Sequence, residues 1–296
     1  MQRLRLIVLI LLAGIWGCGK KDKESIYTCS VDGAKCEVLI NSGTDDWMPA
    51  WSPDGRKIAF VREDTDGPRI CVFDVNTRTV NVVTDSFIDV DGISWSPNQS
   101  TIVVTGSMRN DDVRVIRGLY ILDINGRHAT RLTDARLFVG HQAVYSVDGQ
   151  KIFFSAGGRQ QSTKIYSINL KSGEITILYD FGHGHSASEF SWTKDGSRIA
   201  FSALSSGNRE IFVLDFASRN IRNITNHPSD DAQPSWSPDG KKIAFISDRV
   251  GVQQIFIYDL ESGVLKQITT DIPGLKGTPS FSPDGKQIAF DVFLEQ

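Results

Sequence analysis

Six copies of one ten-residue pattern constrain this 296-residue chain more than anything else in it. They read WSPDGRKIAF at 51–60, WSPNQSTIVV at 95–104, YSVDGQKIFF at 145–154, WTKDGSRIAF at 192–201, WSPDGKKIAF at 236–245 and FSPDGKQIAF at 281–290. Their leading aromatics, Trp51, Trp95, Tyr145, Trp192, Trp236 and Phe281, stand 44, 50, 47, 44 and 45 residues apart. A period of this size marks a stacked or radial array of one supersecondary unit. Each unit reads as four short strands, A to D. Strand A ends on the aromatic, and Ser-Pro-Asp-Gly turns the chain: proline presets φ, and glycine accepts φ > 0. Strand B is the Ile-Ala-Phe run, strand C is typified by 211–215, and a second turn, as at Ser262-Gly263, leads to strand D near Leu-Thr or Ile-Thr. Strands apolar on both faces fit blades that pack on two neighbours.

The two ends supply the count. Residues 26–39 align without gaps to 119–132, which is a C–D hairpin, so the fold is expected to begin with strands C and D. Residues 278–291 read as strands A and B. Together the ends make one complete blade, which closes the ring and removes exposed sheet edges. The expectation is an all-β, six-bladed β-propeller over 26–296, its last blade joined from both termini.

With these motifs in view, the repeat resembles the WD40-like repeat of the TolB propeller family across essentially all of 26–296. The resemblance implies a periplasmic compartment and a component of the Tol–Pal envelope system. TolB itself is soluble and carries an α/β domain ahead of its propeller, for which this chain has no room. The likeness therefore implies fold and compartment more than partner.

The first 17 residues read as a targeting segment. Arg3 and Arg5 precede an apolar run from Leu6 to Trp16, about half of the ~20 residues that span a bilayer. Ile15-Trp16-Gly17-Cys18 resembles a bacterial lipobox, with Cys18 the lipidated residue and 18–25 a charged tether unlikely to fold. The alternative is cleavage elsewhere with Cys18 incidental. Two or three acyl chains give stable anchoring, so the expected location is the cell envelope, facing the periplasm or exterior, on an outer membrane where the organism has one. Loss of Arg3 and Arg5 takes the formal net charge from −3 to −5. No basic stripe points to nucleic acid.

Asp32-Gly33 reads as a two-residue hairpin turn, a register that sets Cys29 opposite Cys36. In an oxidising compartment the two are expected to form a disulfide across a hydrogen-bonded pair. The alternative is two reduced, packed thiols. Cys71, in strand C of the first blade, reads as a small core residue.

The A–B and C–D turns share one end of the ring. The D–A and B–C loops share the other, around the channel mouth, where loop variation favours binding. Candidate partner-binding residues there are Asp45, Asp46, Asp89, Asp91, Arg109, Asp111, Asp112, His141, His183, His185, Asp230 and Asp231. The second blade has the longest B–C segment, containing Arg109, Asp111 and Asp112. The carboxylates entering strand A have two readings: clustered oxygens holding a divalent cation, or local acceptors for backbone donors. The second is adopted, and no cofactor is expected.

Enzyme signatures are sparse. Gly184-His185-Ser186-Ala187-Ser188 lacks the second glycine of a Gly-x-Ser-x-Gly elbow. Some lyases with TolB-like propellers hold a metal on channel histidines, so the resemblance keeps a metal-dependent polysaccharide lyase using His141, His183 and His185 as the alternative. The main reading is a non-catalytic, membrane-anchored interaction module. Its partner would be an envelope protein, with peptidoglycan-associated and transport-complex components as candidates.

Overall fold

The computed structural model describes residues 24–84, 87–109, 115–125, 129–134, 137, 139–140, 142–157, 162–182 and 187–294. The expected targeting segment, Cys18, Asp111, Asp112, His141, His183 and His185 lie outside them. The described chain begins with β1 (Glu24–Ser30) and β2 (Cys36–Ile40). The first full blade is β3 (Asp45–Trp51), β4 (Lys57–Asp64), β5 (Gly67–Asp74) and β6 (Val80–Thr84). The second is β7 (Phe87–Trp95), β8 (Thr101–Arg109), β9 (Val115–Asp123) and β10 (Ala129–Arg131). The third is β11 (Val144–Tyr145), β12 (Lys151–Ala156), β13 (Lys164–Asn169) and β14 (Ile175–Asp180). The fourth is β15 (Ser188–Trp192), β16 (Arg198–Ser205), β17 (Asn208–Asp215) and β18 (Ile221–Asn223). The fifth is β19 (Asp231–Trp236), β20 (Lys242–Ser247), β21 (Gln254–Asp259) and β22 (Leu265–Gln267). Then come β23 (Leu275–Phe281) and β24 (Gln287–Phe293), which join β1 and β2 in the order β2-β1-β24-β23.

These are six four-stranded antiparallel sheets, each ordered A to D as the repeat predicts. The seam between the termini is a seven-pair ladder from Glu24↔Phe293 to Ser30↔Gln287. Its first paired residue, Glu24, lies two positions before the expected start. From the fourth blade round through the closing blade to the third, the A strands of successive blades contact one another, which puts them around the axis.

Side-chain alternation explains where the core sits. Successive residues of a strand point to opposite faces, so one strand feeds two cores. Ile58 and Phe60 pack with Ile26, Leu39 and Ala289 between the closing and first blades. Ala59 and Val61 pack with Ile93, Ile102 and Val104 between the first and second. Cys71 is fully buried in the former cluster, as expected.

The Ser-Pro-Asp-Gly turn is a small hydrogen-bonded unit. The Gly55 N–H donates to the Ser52 carbonyl at 2.9 Å, with Gly55 at φ 72°. Asp54 Oδ1 accepts from Ser52 Oγ and the Arg56 N–H, while Ser52 Oγ accepts the Lys57 N–H. Ser237/Asp239 and Ser282/Asp284 repeat it. Strand D has its own device. Thr133, Thr225 and Thr269 hydroxyls each accept a strand C N–H, from Leu119, Ile211 and Ile255 at 3.0, 3.0 and 2.9 Å. That is the physical content of the recurring Leu-Thr and Ile-Thr.

Cys29 and Cys36 are disulfide-bonded and directly opposite in the ladder. The expected register holds, but the turn differs. A two-residue Asp-Gly turn of the favoured type needs φ > 0 at both residues. Here Gly33 alone has it, at 75°. Gly33 donates to the Ser30 carbonyl and Ser30 to the Lys35 carbonyl, both at 2.8 Å. Asp32 bonds Ser30 Oγ and the Ala34 N–H. Ser30-Val31-Asp32-Gly33 thus forms the same unit as the A–B turns, and Ser146-Val147-Asp148-Gly149 repeats it letter for letter.

Candidate functional site

The carboxylates entering strand A take local partners, and each is explained by its depth. Asp46 is fully buried, so its charge is matched. Arg62 Nε donates to Oδ1 at 2.7 Å and Arg62 Nη2 to Oδ2 at 3.1 Å, with Ser42 Oγ at 2.6 Å. The equivalent Asp231 is also fully buried and takes Arg249 Nη2 on both oxygens at 2.9 and 3.0 Å. Burial pushes the Asp231 carboxyl upward, against the lowering effect of Ser247 and Arg249. The second blade pairs Arg117 with Asp89 and Asp91, and Arg117 Nε reaches the Val139 carbonyl at 2.9 Å. Asp45 Oδ1 accepts the Glu24 N–H at 3.1 Å, and Asp230 Oδ1 the Arg209 N–H at 2.8 Å. In the closing blade the position of Asp46 and Asp231 holds Lys276. It too is buried, and its Nζ donates to the Ile272 and Gly274 carbonyls. Burial lowers its pKa.

Asp45 and Asp230 thus accept the backbone donors expected of them, whereas Asp46, Asp89, Asp91 and Asp231 pair with arginine side chains instead. Among the described residues no group of three or more His, Cys, Asp and Glu is arranged to hold a metal.

A second layer, which sequence reasoning missed, lines the axis. The A strands are bulged three residues before the aromatic, where Met48, Glu189, Gln233 and Thr278 have φ of 57°, 53°, 51° and 33°. L-residues enter this region at a cost, and here the N–H groups of Met48, Gln233 and Thr278 each find a side chain of the preceding blade. Thr278 N–H donates to Gln233 Oε1 at 2.6 Å, and Gln233 N–H to Glu189 Oε2 at 3.1 Å. Met48 N–H donates to Asp291 Oδ1 at 3.2 Å, and Thr278 Oγ1 also donates there. Glu189 further takes Ser202 Oγ and Arg209 Nη1. A hydrogen-bonded belt so runs from the fourth blade to the first. At the same position the second blade has Gly92, where a Cβ would come within 2.8 Å of the Gln142 Cα. The only sequence signal was a shared offset from the aromatic, filled by unlike residues.

The second-blade insertion is mostly strand rather than loop. β8 and β9 pair as far as Arg109↔Val115, so the connection shortens to 110–114. Arg117 lies in β9 and serves Asp89 and Asp91. Arg109 is placed by the ladder at the tip of β8.

Several known proteins share this architecture. The family model described as TolB beta propeller domain matches residues 16–191 and again 159–293. A TolB homolog from Chlorobium luteolum is 24% identical over 151 residues, 51% of this chain and 33% of that protein. A Tol-Pal system protein TolB from Desulfosudis oleivorans is 28% identical over 115 residues, 39% of this chain and 25% of that protein. The matched region thus spans about a third or less of these curated relatives. Among solved structures, a putative TolB from Agrobacterium tumefaciens superposes with TM-score 0.75 at 20% identity, covering 93% of this chain and all of that one. An oligogalacturonate lyase in complex with manganese gives 0.60 at 15% identity, covering 94% and 99%. At these identities the superpositions establish the fold alone.

Proposed function

The chain belongs to the TolB β-propeller domain family, and from that premise we propose that it is a lipid-anchored, non-catalytic interaction module of the cell envelope. Residues 1–17 serve as its export signal and Cys18 as its lipidation site. The ring presents its D–A/B–C end to an envelope protein, a peptidoglycan-associated or transport-complex component being the class that the Tol-Pal relative suggests. The observation that carries this reading is the β8–β9 hairpin. Its strands have nine residues against six in β20 and β21, which at ~3.3 Å per residue adds about 10 Å of reach. Meanwhile the deep charges below it are occupied with one another, as scaffold charges are.

The test is to replace 110–114 with a Gly-Ser linker in the full chain and recover cross-linked envelope partners. Loss of the partner is expected. Unchanged recovery would remove the hairpin tip from the interface. A metal-dependent lyase instead requires a stoichiometric transition metal on His141, His183 and His185, which elemental analysis of the purified protein reads directly. None is expected.

A further inference from the structure

Among the described residues, exposed aliphatic side chains at the D–A/B–C end concentrate on one arc. Leu204, at the end of β16, is 64% exposed, and Val250 and Val252, in the β20–β21 connection, are 50% and 59% exposed. These two tips sit on adjacent blades. The arc continues through the 5–6 connection, where Pro273 is exposed and Ile272 half-buried, to Leu275, Phe293 and Leu294 at the same end of the closing blade. The matching connections of the first blade are polar: Asn41-Ser42-Gly43-Thr44 and Thr65-Asp66.

The N-terminal segment leaves from this end and from this side. Glu24 opens strand C of the closing blade, opposite Phe293, so the chain enters β1 at the B–C end. Five residues, 19–23, separate Cys18 from Glu24. Fully extended, that length reaches roughly 20 Å. Lys20, Lys21 and Lys23 against a single Asp22 make it basic, which favours anionic headgroups.

We propose that the aliphatic arc of the fourth to sixth blades rests in the headgroup region of the bilayer that holds the Cys18 lipid, with Leu204, Val250 and Val252 as the inserted tips. This rests on the lipid-anchor reading above. The short tether sets the arc against the membrane, and apolar side chains gain from leaving water there. The ring then stands tilted. Its first three blades, including the β8–β9 hairpin, face away from the lipid and stay open to a protein partner.

The test uses the full, acylated chain in vesicles of phosphatidylethanolamine and phosphatidylglycerol with brominated acyl chains. Cysteine variants L204C, V252C and V147C carry a polarity-sensitive fluorophore. All three positions are exposed, Cys71 is buried and Cys29–Cys36 is closed, so the introduced thiol is the one labelled. Val147 lies in an A–B turn at the opposite end and serves as the reference. The expected result is that labels at 204 and 252 lose most of their emission to bromine while the label at 147 keeps it. Acylated protein whose 204 and 252 labels stay as bright as 147 overturns the orientation and leaves the anchor standing. The same holds if they are shielded only when envelope protein is added, which assigns the arc to a protein. Mass spectrometry showing Cys18 unacylated overturns the anchor, and this proposal with it.

Discussion

Arg249 shows how a single side chain holds the channel-mouth end together. Its guanidinium lies over the rings of Phe245 and Phe256, at 5.4 and 5.0 Å, and grips the fully buried Asp231. Removing one member of such a pair leaves a charge in low dielectric without compensation, at a cost of about 3–5 kcal/mol. R249A should therefore lower the unfolding free energy by about 3 kcal/mol in urea melts, and adding D231N should recover part of it. A loss under about 1 kcal/mol, the scale of a surface ion pair, would demote the contact. The sequence singled out Asp46 and Asp231 among the carboxylates entering strand A but did not supply their partners. Arg62 follows its blade aromatic by 11 residues and Arg249 by 13, so no fixed spacing betrays a role that depends on where two strands end. Lys276 was invisible for the same reason: an opposite charge fills the same position by bonding carbonyls instead.

At the scale of one element, the Ser-x-Asp-Gly turn carries most of what the repeat encodes. Gly285 has φ 69°, and a Cβ there would meet nothing nearer than Pro238 Cδ at 3.7 Å. The penalty of substitution is thus the left-handed backbone alone. G285A should cost about 1–2 kcal/mol, read as a lower urea midpoint. An unchanged midpoint would mean the turn relaxes out of that conformation. Gln99 accepts φ 61° at the corresponding site of the second blade, where the motif is degenerate. These turns were legible because proline, aspartate and glycine act on their own backbone. The bulge of strand A was not, because what holds Met48 or Gln233 in place is a side chain from another blade. The reading of Asp32-Gly33 fell between the two: the register came out right, and the turn type was decided by Ser30, two residues before the dipeptide considered.

For the whole molecule the critical feature is the seam between the termini. Hydrogen bonds and side-chain packing, with no covalent bond, join β1 to β24; the disulfide ties β1 to β2, within one terminal segment. Acids gather at its open end. Burial, and then Asp291, Asp45 and Glu63, push the Glu24 carboxyl from 4.5 up to about 8, and burial raises Asp291 as well. A carboxyl with a raised folded pKa adds stability that is fully present below its unfolded value and is lost as pH climbs through the folded one. The seam should therefore weaken between pH 4.5 and about 8. E24Q should flatten that slope and raise stability near the upper limit by more than the about 1.4 kcal/mol that one tenfold change in proton affinity is worth. Thermal melts across the range check it, and an unaltered slope would clear Glu24. By itself the sequence determined the repeat, the six blades, the joined closing blade and the opposition of Cys29 to Cys36, because each follows from periodicity and register along the chain. Only the tertiary structure decided which charges neutralise which, how the axial belt is bonded and which end the N-terminus leaves by, because these depend on side chains tens to hundreds of residues apart meeting where neighbouring blades touch.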